Sequence, residues 1–260
     1  MKVFSVLYLL LLSANIFAAD QPNIIFFLAD DQRFDFLGCS GHPVVQTPNI
    51  DRLAQEGTHF EQAYVNTATC WISRATMFTG LYLRGHRYTL LKPLDKRWSS
   101  QSYPRLLKDN GYQVGYFGKN HVTFEKGETD KMYDHYKVIG RNPYFKKMPD
   151  GSLRHETELI GDHAEKFIDQ LSKDKPFLLN LSFNAAHAED NDKQNHFPYP
   201  KATAHLYEGM TMPLPKLNDP AIFKSQPEFM QKSMLRDRFK WRWDTPQKYQ
   251  NNMRNYLRMI

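Results

Sequence analysis

The strongest constraint on the fold is a set of short, mostly apolar runs, each cut off abruptly by polar residues. Asn23 to Ala29 reads NIIFFLA and stops at Asp30-Asp31, and Phe177 to Phe183 reads FLLNLSF and stops before Asn184 and His187. Runs this short, without regular polar alternation, read as strands covered on both faces. Tyr112 to Phe117 (YQVGYF) is a third strand, ending at Gly118-Lys119. Helix patterns fall between them. Thr47-Pro48 places a hydroxyl cap before a proline at the first helical position, and Gly57 closes that segment. Ser102 to Lys108 ends at Asn110-Gly111, and Glu156 to Leu171 spaces Ile160, Ala164, Phe167 and Leu171 along one helical face. Strands alternating with helices predict an α/β fold, a mixed, largely parallel sheet sandwiched between helices.

Thr58 to Val65 (THFEQAYV) reads as a further strand. From Ala188 to Asp244 the pattern weakens into Pro-, Asn- and Lys-rich sequence, which predicts long surface loops. Within it Lys232 to Trp243 (KSMLRDRFKWRW) mixes basic and aromatic residues, a composition that could stack on sugars or bind anionic groups, and reads first as a solvated loop with aromatic anchors. Thr245-Pro246 opens a last helix with Tyr249, Met253, Tyr256, Leu257 and Ile260 on one face and no stop signal after it. The pattern predicts a chain that is incomplete at its C-terminus. The Asn180-Leu181-Ser182 triplet matches a glycosylation acceptor but lies inside a predicted buried strand.

Residues 1–19 carry their own signal. Lys2 precedes an apolar stretch, Val3 to Leu12, too short to cross a bilayer, and Ser13 to Ala19 supplies small residues for cleavage. This predicts a signal peptide over 1–19, export to the periplasm or the medium, and a domain over 20–260 that is N-terminal and incomplete. No later apolar run is long enough for a membrane span, so no membrane partner is expected. The net charge is +6, but the 34 basic residues are spread along the chain without a dense tract, and no nucleic-acid partner is expected. In an exported protein the two cysteines, Cys39 and Cys70, suggest one disulfide.

Several candidate site residues share one placement, immediately after a predicted strand, where ligands gather in open α/β sheets. Asp30 and Asp31 repel each other unless cations neutralise them, and as hard oxygen ligands they suit Ca²⁺ or Mg²⁺. Lys119 and His121 follow the third strand, and His187 follows Phe177 to Phe183.

The segment Thr69-Cys70-Trp71-Ile72-Ser73-Arg74, running to Thr79-Gly80, resembles the signature of the sulfatase family, with Ile72 where that family usually has proline or alanine. Pro22 to Asp31, Thr47 to Ala54, Gly118-Lys119-Asn120-His121 and Phe183-Asn184-Ala185-Ala186-His187 are similar to further family blocks, in family order. The resemblance implies an alkaline-phosphatase-like fold and hydrolysis of a sulfated carbohydrate or a small sulfate ester. It implies that Cys70 is oxidised to formylglycine by a formylglycine-generating enzyme, against the disulfide reading. Asp30, Asp31 and the modified Cys70 would share one divalent cation, Ca²⁺ by resemblance. Arg74 would hold the nucleophile and Lys119 would contact it and the sulfate. His121 would take the proton that regenerates the aldehyde, and His187 would bind sulfate or protonate the leaving alcohol. The family's second metal-ligand block, an Asp followed by Asn, His or Gln, has no counterpart before Ile260. Two alternatives stay open: a phosphodiester or phosphonate monoester hydrolase of the same superfamily, and a non-catalytic truncated fragment.

Overall fold

The structure, a computed structural model, describes residues 21–260; the predicted signal peptide lies outside the described residues. Its centre is a four-stranded sheet built from β1 (Ile24–Leu28), β2 (Gln113–Gly118), β3 (His135–Val138) and β6 (Phe177–Ser182). The order is β1-β6-β2-β3 and every pairing is parallel, with Leu28 and Gly118 both level with Ser182. All four carboxyl ends therefore lie on one edge. A separate antiparallel ribbon pairs β4 (Phe145–Lys147) with β5 (Leu153–His155).

Helices cover both faces, as expected for parallel strands. On one side α2 (Cys70–Thr79) and α3 (Tyr103–Asp109) pack Ala75, Phe78 and Leu107 over Val114, Tyr116 and Leu178. On the other, α4 (Glu156–Asp169) lays Ile160, Ala164 and Phe167 on Phe117, Leu179 and Leu181. The period-2 alternation of β6 does this: Leu178 faces one layer, Leu179 and Leu181 the other. Asn180 is 1% exposed, so the glycosylation triplet is indeed shut inside the sheet.

Four expectations need correction. β1 is an edge strand rather than one covered on both faces, and Ile25, Phe26 and Phe27 are exposed, Phe27 by 60%. Its hydrophobicity signals a partner surface, but a sequence cannot say whether that surface is supplied. Residues 58–65 form no strand; they run as exposed turns, with α1 (Pro48–Glu56) beside them burying no residue. The stretch 188–244 is not one long surface loop, because Ala188, Glu189, His196, Phe197, Tyr207 and Met212 are buried and short helices follow. Lys232 to Trp243 contains a helix, α5 (Met234–Arg242), where two arginines share the half-buried Asp190 carboxylate.

The last helix, α6 (Pro246–Met259), packs on the loops at the strand ends. Tyr249, Tyr256, Leu257 and Met259 join Phe36, Val45, Ala185, Ala186 and Phe197 in a third core cluster. Thr245 caps it by accepting the Lys248 N–H at 3.2 Å. Among the described residues no helix is long and apolar enough to cross a membrane.

Candidate active site

Cys70 is the first residue of α2. Thr69 before it is extended and Gly80 ends the helix in the left-handed region at φ 67°. The inner face of α2 buries Ile72, Arg74, Ala75 and Phe78, so the unusual Ile72 is a core contact while Cys70 stays half-exposed at the helix mouth. Both cysteines are free thiols, which removes the disulfide reading.

Arg74 is 3% exposed and points at the end of β2. Its guanidinium donates to the Lys119 carbonyl at 2.7 Å and to the Ser182 hydroxyl. The same carbonyl accepts from the Tyr116 hydroxyl at 2.6 Å and from Ser182 at 2.8 Å. Three side chains thus fix one peptide, which aims the Lys119 side chain. Gly118 makes the turn possible: its φ is 111°, and a Cβ there would collide with the Ser182 carbonyl.

Lys119 is buried and ion-paired with the equally buried Asp30 carboxylate. Asp30 is held from behind, its N–H donating to the Ala185 carbonyl at 3.1 Å. Asp31 sits at φ 55° and turns its carboxylate outward, where Oδ2 lies 3.4 Å from His187 Nε2. His187 Nδ1 faces the Ala188 carbonyl at 2.7 Å. The repulsion between adjacent carboxylates is relieved by sending each to a different basic side chain.

His121, also left-handed at φ 57°, places Nδ1 3.2 Å from Cys70 Sγ. Burial, with the nearby Lys119 and Arg74 cations, pushes its pKa down to about 4. The imidazole is therefore neutral at pH 7 and able to accept a proton from the group at position 70. Non-glycine residues in the left-handed region are strained, and strain of this kind concentrates at functional sites. Here Asp31 and His121 both carry it.

All seven residues singled out from the sequence thus lie at one end of the sheet. The structure joins them as Cys70–His121, Arg74–Lys119, Lys119–Asp30 and Asp31–His187. The thiol pairs with His121 rather than with either aspartate, and Arg74 reaches the Lys119 carbonyl rather than Cys70. Asp30 and Asp31 remain the hard oxygen donors, but among the described residues no three His, Cys, Asp or Glu side chains converge as a metal shell. Two carboxylates, each engaged by a basic side chain, fall short of the roughly six to eight oxygens of a Ca²⁺ site.

Sequence reading missed the residues that hold this end in place. Glu156, fully buried at the start of α4, accepts from the Asn184 N–H at 3.1 Å, the Ala185 N–H at 3.2 Å and Asn184 Nδ2 at 3.0 Å. Burial raises its pKa. The Tyr144 hydroxyl spans the Asn184 and His187 carbonyls, the first at 3.1 Å and the second at 2.5 Å. An acid in a first helical turn is too common to stand out, and Tyr144 had no motif around it.

A parallel sheet thus carries, at its strand ends, a cysteine at a helix mouth, a neutral histidine on it and a Lys-Asp pair behind it. The sulfatase family model matches residues 22–260, and the chain belongs to the sulfatase family. It is 30% identical over 207 residues to an N-acetylglucosamine-6-O-sulfatase of Bacteroides thetaiotaomicron, covering 73% of this chain and 36% of that protein. A solved enzyme in complex with its substrate D-glucosamine-2-N,6-O-disulfate superposes with a TM-score of 0.61 at 24% identity, over 92% of this chain and 59% of that one. The phosphonate monoester hydrolase of Agrobacterium radiobacter shares the fold, with a TM-score of 0.67 at 21% identity, over 92% of this chain and 56% of that one. The chain thus spans about a third of the curated relative and little more than half of the solved chains.

Proposed function

We propose that this chain carries the nucleophile-bearing part of a sulfuric ester hydrolase whose substrate is a sulfated carbohydrate or a small sulfate ester. One observation carries the reading: a free, half-exposed cysteine opens α2 with a neutral histidine 3.2 Å from its sulfur. Family membership and the relatives named for sugar sulfates support it.

Cys70 is the residue a formylglycine-generating enzyme would oxidise; formylglycine, once hydrated, supplies an oxygen nucleophile for sulfate. The remaining chemistry falls to the neighbours. His121 accepts the proton released at position 70. Lys119, aimed by Arg74, Ser182 and Tyr116, brings a positive charge against the sulfate oxygens. His187, whose Nε2 lies 3.4 Å from Asp31 Oδ2, would bind sulfate or protonate the departing alcohol. Asp30 and Asp31 are the residues that would hold a divalent cation, Ca²⁺ by family resemblance, and the described residues alone leave its shell incomplete. Residues 1–19 are assigned as a leader for export to the periplasm or the medium, and 20–260 as the N-terminal catalytic region.

Peptide mass spectrometry after co-expression with a formylglycine-generating enzyme tests the reading. An aldehyde at position 70 is expected; a persistent thiol there overturns it. Aryl sulfate and phosphonate monoester assays run side by side, with Cys70→Ala as the control, separate sulfatase from phosphonate hydrolase. The 260-residue chain by itself is expected to bind Ca²⁺ weakly and turn over slowly.

A further inference from the structure

The basic helix α5 is the motif that the proposed chemistry leaves unused. Between Lys232 and Trp243 it gathers Lys232, Arg236, Arg238, Lys240 and Arg242 against the single acid Asp237. Two of these cations turn inward onto one carboxylate. Arg238 donates to Asp190 Oδ2 at 2.7 Å, and Arg242 pairs with Oδ1 of the same side chain. Asp190 follows His187 by three residues, so the cluster stands on the rim of the candidate active site.

One carboxylate cannot neutralise two guanidinium groups. The Nε atoms of Arg238 and Arg242 are buried and find no partner among the described residues, although Arg242 is only 7% exposed. Asp31, which faces His187, adds a second and weaker negative charge in the field of Arg242. Beside the cluster Lys193 Nζ sits 3.6 Å above the ring of Trp241, itself 38% exposed. Lys193 also donates to the Asp190 carbonyl at 2.7 Å, and an indole with an ammonium seated over one face suits the edge of a sugar ring that bears an anionic substituent. Anchoring α5 to the 188–196 segment needs one arginine on Asp190. Two arginines and a lysine exceed that need.

We propose that Arg238, Arg242, Lys193 and Trp241 form a second, anion-binding subsite that receives another sulfate of a sulfated polysaccharide while its scissile ester lies at Cys70. The subsite rests on the sulfate-ester reading above and narrows it from any sulfate ester to a polyanionic carbohydrate chain. Arg242, buried on Asp190, holds that carboxylate, so the part-exposed Arg238 and the exposed Lys193 reach the polymer sulfate by charge-assisted hydrogen bonds, and Trp241 borders the intervening sugar ring.

Binding of fluorescent dextran sulfate to the 260-residue chain, followed by anisotropy at fixed salt, tests this. Lys193→Gln/Arg238→Gln is expected to weaken binding about tenfold or more, since each charged hydrogen bond carries close to a factor of ten. Lys173→Gln/Lys175→Gln, which removes the same charge at the opposite end of the sheet, is expected to change it by less than about twofold. The exposed Lys193→Gln substitution alone should still weaken binding should the double variant melt early. Neutral dextran should not compete. Equal losses in the two double variants, or equal affinity for duplex DNA, would overturn the subsite. Scoring the Cys70 aldehyde on the same preparation separates the two readings: aldehyde present without dextran sulfate binding removes the subsite and leaves the ester hydrolase intact.

Discussion

Tyr256 holds Asp31 from 225 residues away: its hydroxyl donates to the Asp31 carbonyl at 2.9 Å and accepts the Arg33 N–H at 3.0 Å. The ring is buried among Phe36 and Phe197, both edge-on to it. One phenol thus closes both polar groups of a turn in which Asp31 is strained. Tyr256→Phe keeps the packing and removes both bonds. It should cost about 1–3 kcal/mol, because a carbonyl and an N–H that are both part-buried lose their partner together. Urea unfolding checks the loss, and faster proteolysis around residues 31–36 would show that it is local. An unchanged midpoint would mean that water replaces the hydroxyl at no cost.

Glu156 plays the same part on the other side of the site. Its three accepted hydrogen bonds fix Asn184 and Ala185, and the Ala185 carbonyl in turn holds the Asp30 N–H. Glu156→Ala strands three donors and should cost about 3–5 kcal/mol. Glu156→Gln keeps one oxygen for the two backbone N–H groups but turns an amide toward Asn184 Nδ2, so about 1–3 kcal/mol is expected. The order of the two urea midpoints is the measurement. A glutamine variant less stable than the alanine variant would contradict this account.

These two contacts also mark where the sequence stops being legible. Asp30, Lys119 and His187 were readable because each follows an apolar run that has to be a strand, and strand ends place residues together whatever the intervening chain does. β6 was read correctly for the same reason. β1 was not: NIIFFLA promises a covering surface, but burial depends on neighbours that local pattern does not encode. The strand expected over 58–65 finds no strand to pair with among the described residues. Helix α5 has almost no apolar face, so its arginines looked solvated until Asp190 was seen beneath them. Tyr256 and Glu156 act through single long-range hydrogen bonds, which leave no periodic trace.

Acid should weaken the fold through its buried histidines. His155 caps α4 as a neutral ring: Nδ1 accepts the Thr157 N–H at 3.2 Å, Nε2 faces the Pro198 carbonyl at 3.1 Å, and Tyr144 stacks on it. Burial holds its pKa at about 4, against an ordinary 6.5. As pH falls below 6.5 the unfolded chain takes up a proton that the folded chain refuses until about 4. Stability is therefore full above that window and declines through it, by about 3 kcal/mol for this residue. His86, His163 and His196 are shifted downward by burial too and act in the same direction. His155→Asn keeps a capping side chain and should flatten the slope of urea midpoint against pH between 4 and 6.5. A slope identical to that of the parent would assign the acid sensitivity elsewhere.

The two edges of the sheet predict how the chain behaves at concentration. β3 presents His135 and Lys137 at its edge, and a lysine there discourages strand addition. β1 presents no charge at all: Ile25 and Phe27 are exposed by 45% and 60%, and Phe27 stacks on Phe183, 6.1 Å between ring centres. An unpaired, apolar parallel edge is a template for another strand. The 260-residue chain is therefore expected to self-associate at micromolar concentration, through β1 rather than β3. Phe27→Lys removes the largest exposed ring on that edge and adds a charge. Burying a phenylalanine contributes about 1.5–3 kcal/mol, so the substitution should weaken association by about tenfold or more in sedimentation equilibrium. Lys137→Phe, which builds the same feature on β3, should strengthen it. Association that ignores Phe27→Lys would place the contact on another surface, with exposed Phe60 and Tyr64 next to α1 the first to substitute.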